Sequence, residues 1–119
     1  MTASSLLIGF VAAEHFAFFL LESFLFKTPV GLKVFKLTPA AAETCSVLAA
    51  NQGVYNAFLA AGLVWGLFAA PGQALGLKTF FLACVIVAGL VGGATVGPRL
   101  LLVQALPAMI ALVLLRSGF

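Results

Sequence analysis

The chain has 119 residues, of which 64% are hydrophobic and 8% are charged, and its net charge is +3 at pH 7. A typical soluble domain is about half apolar and about a quarter charged, so this chain lacks the residues for a water-soluble surface. Its six basic residues are too few and too scattered to form a nucleic-acid surface, and we interpret them as membrane-orienting charges and contacts with anionic lipids.

Four apolar stretches are predicted to be membrane-spanning helices, at about residues 4–26, 44–68, 77–96 and 100–116. The first stretch lacks the basic start and the small-residue cleavage site of a signal peptide, so we assign it as a span. The expected fold is an all-α, integral membrane four-helix bundle with up-down topology. It forms a single domain over residues 1–119.

A polar connection, KTPVGLKVFKLTP, follows the first span. We expect its apolar residues to dip into the membrane surface. At its end, Thr38 and Pro39 have the chemistry of a helix start, with threonine as the N-cap and proline as the first helical residue. The second span should therefore begin close to this point.

Basic residues predict the orientation of the chain in the membrane. The first and third connections share one side and carry four bases, and the other side carries two. The four are Lys27, Lys33, Lys36 and Arg99, and the two are Lys78 and Arg116. Because basic residues favour the cytoplasmic side, we expect a bacterial inner (plasma) membrane protein with both termini on the outer side.

The third and fourth spans contain residues that predict close packing and irregularity. Gly89, Gly93 and Gly97 recur every four residues, a spacing that lets helix backbones approach closely in lipid. This seam could lie inside the bundle or mediate self-association, so a homodimer or other homo-oligomer is possible. Pro107 predicts a kink in the last span.

Three ionisable residues lie within the first span: Glu14, His15 and Glu22. An ionisable group within the bilayer costs about 3 kcal/mol or more, so we expect all three to face neighbouring helices. His15 and Glu22 are seven residues apart and therefore share a helix face. These three residues are our candidate catalytic residues.

Polar residues also interrupt the second span. Asn51, Gln52, Tyr55 and Asn56 are predicted to form one stripe that faces the ionisable residues of the first span. Their amide and phenol groups can donate hydrogen bonds to a carboxylate. Gln104, early in the fourth span, should lie at the depth of Glu22 and close the site. These five residues are our candidate substrate-binding residues.

Purely structural explanations compete with this prediction. One alternative is that the amides of the second span do no more than hold helices together. Glu22 can form a structural ion pair with Lys27 or Lys33, and Tyr55 can simply pack. Glu14 next to His15 is harder to explain in this way, because helix association does not require two adjacent ionisable groups within the membrane. A metal site is not expected from a single histidine.

The segments EHFAFFLLESFLFKTPVGLKVFKLTP and LAANQGVYNAFLAAGLVWG resemble a bacterial family of small four-span membrane proteins, catalogued as domain of unknown function 1304. The resemblance covers nearly the whole chain. Its distinctive parts are Glu14-His15 with Glu22, a Thr28-Pro29-x-Gly31 turn, and an Ala50-Asn51-Gln52-Gly53-x-Tyr55-Asn56 motif. The resemblance implies an integral membrane protein of four helices and implies no particular activity.

Three functions fit the sequence. The first is binding of a small hydrophobic molecule, or its transformation by acid–base chemistry such as isomerisation, which needs no cofactor. The second is an oligomeric, proton-coupled transporter or channel subunit in which Glu14 and His15 couple to protons. The third is a lipid-binding scaffold. Whether the protein is an enzyme stays open, and membrane lipids are the expected surroundings in each case.

Overall fold

The computed structural model describes residues 1–119, and all of its regular elements are helical. This confirms the all-α prediction. The helices run in the order α1 (Ala3–Ser23), α2 (Pro29–Phe35), α3 (Pro39–Phe68), α4 (Pro71–Thr95), a π-helical segment (Leu101–Ala105) and α5 (Leu106–Arg116).

Three of these helices are long and apolar enough to cross a membrane: α1, α3 and α4, with 21, 30 and 25 residues. This indicates a membrane protein. Helix α3 begins at Pro39, the predicted first helical residue, whereas α4 begins at Pro71, earlier than the predicted start of its span. The last apolar helical stretch, Leu101–Arg116, is shorter, so a single domain with four spans stays a prediction.

Threonine side chains cap the starts of α2 and α3 by accepting hydrogen bonds from backbone N–H groups. The backbone N–H of Ala41 donates to Thr38 Oγ1 over 3.1 Å, which confirms the predicted start of α3. Thr28 caps α2 in the same way, because its Oγ1 accepts from the N–H of Gly31 and donates to the carbonyl of Leu25. Lys36 ends α2 in the left-handed backbone conformation, with φ of 54°.

The chain divides into two compact units. The first unit combines residues 1–13 with residues 59–119, and the second contains residues 14–58. The core of the first unit is built from aliphatic and alanine side chains, and several of its members are fully buried. They are Ile8, Val11, Ala12, Leu63, Leu82, Val85, Ala108 and Ala111.

Two of the three glycines predicted to form a packing seam lie against the C-terminal part of the same unit. A Cβ atom added to Gly89 would lie 2.7 Å from the backbone nitrogen of Ala105, and one added to Gly93 would collide with the side chain of Leu101. A Cβ on Gly97 would meet nothing within 4 Å. The seam therefore packs within the chain at Gly89 and Gly93, and Gly97 is not part of it.

The helix irregularity predicted at Pro107 begins before this residue. Leu106 donates its backbone N–H to the carbonyl of Leu101, five residues back, which is the hydrogen bond of a π-helix. Pro107 has no N–H to donate to an earlier carbonyl and stands in the first turn of α5. The proline thus follows a π-helical segment at the start of a regular α-helix.

Candidate functional site

Glu22 lies one residue before the end of α1, and its side chain is held by two amides of α3. Gln52 Nε2 donates to Glu22 Oε2 over 3.0 Å, and Asn56 Nδ2 donates to Glu22 Oε1 over 2.5 Å. Glu22 and Asn56 are 7% and 9% exposed, whereas Gln52 is exposed. We call these three residues the Glu22 cluster. It is a buried carboxylate in which each oxygen accepts a hydrogen bond from a neutral donor.

A close approach of α1 and α3 makes these hydrogen bonds possible. A Cβ atom added to Gly53 would collide with Ser23 Oγ and would lie 3.1 Å from the Cβ of Glu22. Ser23 Oγ donates to the carbonyl of Ala50 over 2.9 Å. The absence of a side chain at Gly53 therefore lets the two backbones meet where the amides must reach the carboxylate.

Sequence reasoning missed the contribution of Ser23 and Gly53 to the site. The available signal was the position of Gly53, directly after Gln52 and three residues before Asn56, on a helix that otherwise carries larger side chains at this level. Glycine is unfavourable inside a helix unless close packing requires it. A glycine between two amides thus indicates that another helix approaches there.

The other two residues of the predicted stripe, Asn51 and Tyr55, do not join the cluster, so the expectation of one shared stripe needs correction. Asn51 is exposed, and its Nδ2 donates to the carbonyl of Val47 in its own helix over 3.0 Å. Tyr55 is 64% exposed, and its ring contacts Phe58. Each residue turns the helix by about 100°, so this pair faces a different direction from Gln52 and Asn56.

Glu14 and His15 form a second polar position on α1, two turns before Glu22. His15 is fully buried, and its ring meets the ring of Phe18 edge to face. His15 Nδ1 lies 3.9 Å from Glu14 Oε1, which is beyond hydrogen-bond distance. Glu14 Oε1 is buried and accepts no hydrogen bond. At about 1.5 Å per residue, Glu14 lies about 12 Å from Glu22 along the helix.

Glu22 does not form the ion pair that was the alternative explanation for its presence. Lys27 Nζ instead lies 3.2 Å from Glu43 Oε2, and both of these side chains are more than half exposed. Amides rather than lysines therefore hold the buried carboxylate. The structure contains no group of three or more His, Cys, Asp or Glu side chains placed to hold a metal ion.

Gln104 belongs to the first compact unit, where it is 9% exposed and lies in the π-helical segment. Its predicted place beside Glu22 stays a prediction.

The Glu22 cluster retains capacity for a further partner. A carboxylate has about four positions that accept hydrogen bonds, and the two amides occupy one on each oxygen. Gln52 is exposed, so one edge of the cluster lies at the surface of the chain. The carboxylate can accept a hydrogen bond from an N–H or O–H group of a bound molecule. It can also exchange a proton with that molecule.

Comparison with known proteins identifies a family and a relative of this chain. Residues 9–116 match the family described as "Protein of unknown function (DUF1304)". The uncharacterized protein YpaA of Lactococcus lactis subsp. lactis (strain IL1403) is 31% identical over 105 residues, which cover 87% of each chain. No solved structure gives a significant match.

Proposed function

This chain belongs to the DUF1304 family, and we propose that it binds a small hydrophobic molecule in the membrane through a hydroxyl or amino group held by Glu22. One observation carries the proposal: both oxygens of a nearly buried carboxylate in an apolar helix accept hydrogen bonds from amides of a neighbouring helix. The amides orient the carboxylate and leave it able to accept another hydrogen bond.

The position of the cluster defines the kind of ligand. Glu22 is one residue from the end of a 21-residue apolar helix, so in a spanning helix it lies near the boundary of the hydrocarbon core. A ligand with one polar group and an apolar body would place the polar group on Glu22 and the body among the hydrocarbon chains. Its access would be from the side of Gln52, which is exposed.

Acid–base chemistry is the reaction that this site would support. A carboxylate at the polar group of a bound molecule can take up a proton at one position and return it at another, as in an isomerisation. The proton balance is internal, so the step needs no oxidant or reductant. Binding is the first requirement in either case.

The test is native mass spectrometry of the chain purified in mild detergent from its native membrane. The unaltered chain should retain a hydrophobic molecule, and Glu22→Gln should reduce the bound fraction at least tenfold. Glutamine has almost the same size but lacks the charge and one acceptor oxygen. The matched control is Glu43→Gln, which alters a carboxylate that is 71% exposed.

The proposal predicts that Glu43→Gln retains as much bound molecule as the unaltered chain. Equal retention by Glu22→Gln and the unaltered chain would show that Glu22 does not hold the ligand. A chain that retains no hydrophobic molecule under conditions in which its fold is intact would also contradict the proposal.

A second candidate function rests on the separate polar position at Glu14 and His15. A buried carboxylate oxygen without a hydrogen bond, next to a fully buried histidine, is a feature that proton-coupled transporters use within the membrane. If the chain forms such a transporter, proton or cation flux into proteoliposomes should be measurable and should disappear in Glu14→Gln. Flux that is unchanged in this variant would rule out a role for Glu14 in transport.

A further inference from the structure

The hydrogen bonds of the Glu22 cluster indicate what kind of group the side chain of Glu22 is. Its two partners, the amide N–H groups of Gln52 and Asn56, are both donors, and each reaches a different oxygen. An ionised carboxylate has only acceptors and therefore matches two donors, whereas a protonated carboxyl group would present a donor of its own. The cluster is thus arranged around a negative charge.

No cation of the chain balances this charge. Lys27 is the basic residue nearest to Glu22 in sequence, and it pairs with Glu43 over 3.2 Å. No basic side chain lies within 4.0 Å of the oxygens of Glu22. Because Glu22 is only 7% exposed, water screens its charge poorly, and neutral amides offset the cost of burying a charge only in part. A ligand that brings a positive charge would complete the cluster.

We propose that the molecule held by Glu22 is an amphiphilic amine, bound as the ammonium ion, and that the site prefers it to an alcohol of the same length. This class of ligand presupposes the binding at Glu22 proposed above. An ammonium group supplies the missing positive charge and donates a charge-assisted hydrogen bond to a free acceptor position of the carboxylate. A hydroxyl group can donate to the same position, but it leaves the negative charge without a counterion.

The burial of the carboxylate also limits the shape of the polar group that it can hold. Glu22 and Asn56 are nearly buried, and Gln52 is the member of the cluster that opens to the surface. A primary ammonium group is compact and has three N–H donors, so it can reach an oxygen at hydrogen-bond distance. A trimethylammonium group has the same charge but no N–H. The site should therefore prefer a primary amine to both an alcohol and a quaternary amine.

The overall charge of the chain opposes the binding of a cation. The net charge is +3 at pH 7, so a cationic amphiphile gains nothing from non-specific attraction to the chain. Glu43 is exposed and already paired with Lys27. Glu14 lies about 12 Å from Glu22 along α1. A preference for ammonium over hydroxyl that disappears with Glu22 therefore identifies the Glu22 cluster as its origin.

The first test compares three competitors on the unaltered chain in a neutral detergent at pH 7. Tritium-labelled dodecylamine is bound to the immobilised chain and displaced by unlabelled dodecylamine, dodecanol or dodecyltrimethylammonium. A primary alkylamine is protonated at this pH, as the side chain of lysine is. Dodecanol and the quaternary amine should each require an about tenfold or higher concentration than dodecylamine, which corresponds to a preference of about 1.4 kcal/mol. This ranking does not depend on the folding of any variant.

The second test repeats the measurement with Glu22→Gln. This variant should bind labelled dodecylamine about tenfold more weakly or less and should lose the preference over dodecanol, because glutamine has no charge for the ammonium group to balance. The matched control is Glu43→Gln, which removes a negative charge from a side chain that is 71% exposed and should keep both the affinity and the ranking. Binding that is lost in Glu14→Gln and kept in Glu22→Gln would place the cation at Glu14 and overturn the proposal.

Failure of the amine preference and failure of ligand binding give different results. If dodecanol displaces the label as well as dodecylamine does, and Glu22→Gln weakens the binding of both, then Glu22 holds a ligand without selecting its charge and the amine assignment is wrong. Equal displacement by dodecyltrimethylammonium would also overturn the assignment, since that cation has no N–H to donate. A chain that binds no dodecylamine but retains a hydrophobic alcohol that Glu22→Gln loses would keep the proposed function and contradict the amine.

Discussion

The two compact units hold their helices together by different means. In the unit of residues 14–58, α1 and α3 are joined by hydrogen bonds from Gln52 and Asn56 to Glu22, and from Ser23 to the carbonyl of Ala50. In the unit of residues 1–13 and 59–119, eight aliphatic or alanine side chains form the core. Gly89 there lies directly against Ala105.

This difference shows that a buried carboxylate is not a general requirement for helix packing in this chain. Apolar helices gain no hydrophobic driving force from meeting one another in lipid, and close contacts between small residues can hold them instead. The first unit has that kind of contact. The second unit also has a close contact at Gly53, so its buried carboxylate is an addition to packing, and the proposed ligand binding would give it a role.

The largest effect is expected from Asn56→Leu, which removes the donor to Glu22 Oε1 and leaves a buried carboxylate oxygen without its partner. We expect the free energy of unfolding to fall by about 3 kcal/mol, because an unsatisfied buried charge costs more than the bond itself contributes. Equilibrium unfolding in mixed detergent micelles measures this change.

Gln52→Leu is the control, because Gln52 is the other donor to Glu22 but its side chain is exposed. This variant should lower the free energy of unfolding by only about 1 kcal/mol. The double variant Glu22→Leu with Asn56→Leu should recover most of the loss, since it removes both polar partners. If Asn56→Leu proves no more costly than Gln52→Leu, the carboxylate is not buried in the way described.

The contact between the first and second apolar helices could be predicted in part. The start of α3 followed from local chemistry at Thr38 and Pro39, and these residues act as expected. The sequence also predicted that amides of α3 would reach the carboxylates of α1, which holds for Gln52 and Asn56 with Glu22.

The direction of the polar side chains could not be predicted. In a soluble helix, the apolar side identifies the buried face, but α3 is apolar nearly all round and gives no such signal. Two pairs of polar residues lie about 100° apart on it, and only tertiary contacts decide which pair faces α1. The close approach at Gly53 decided in favour of Gln52 and Asn56 and left Asn51 and Tyr55 outside.

A smaller effect should distinguish the glycines of the two units. Gly89→Ala places a Cβ 2.7 Å from both the backbone nitrogen and the Cβ of Ala105, which cannot move independently of their helix. We expect a loss of about 2 kcal/mol. Gly53→Ala would meet chiefly the hydroxyl of Ser23, which can rotate away, so the loss should be about 1 kcal/mol.

Gly76→Ala is the control for both variants, because an added Cβ there meets nothing within 4 Å. Thermal unfolding in detergent should rank the three variants, with Gly76→Ala close to the unaltered chain. Adding Ser23→Ala to Gly53→Ala should cost less than the sum of the two single changes, because the hydroxyl is the obstacle that the new methyl group meets. Strict additivity would show that Gly53 and Ser23 do not press on each other.

The smallest effect is expected at the ion pair of the unit of residues 14–58. This pair is exposed, whereas the carboxylate of Glu22 in the same unit is buried. Lys27 and Glu43 are 3.2 Å apart, but their side chains are 54% and 71% exposed. Lys27→Ala should change the free energy of unfolding by less than about 0.5 kcal/mol, because exposed ion pairs are weak and screened by salt. Lys33→Ala, on the same connection, is the control. If Lys27→Ala costs as much as Asn56→Leu at high salt, then the exposed pair, rather than the amides on Glu22, is the contact that holds the start of α3.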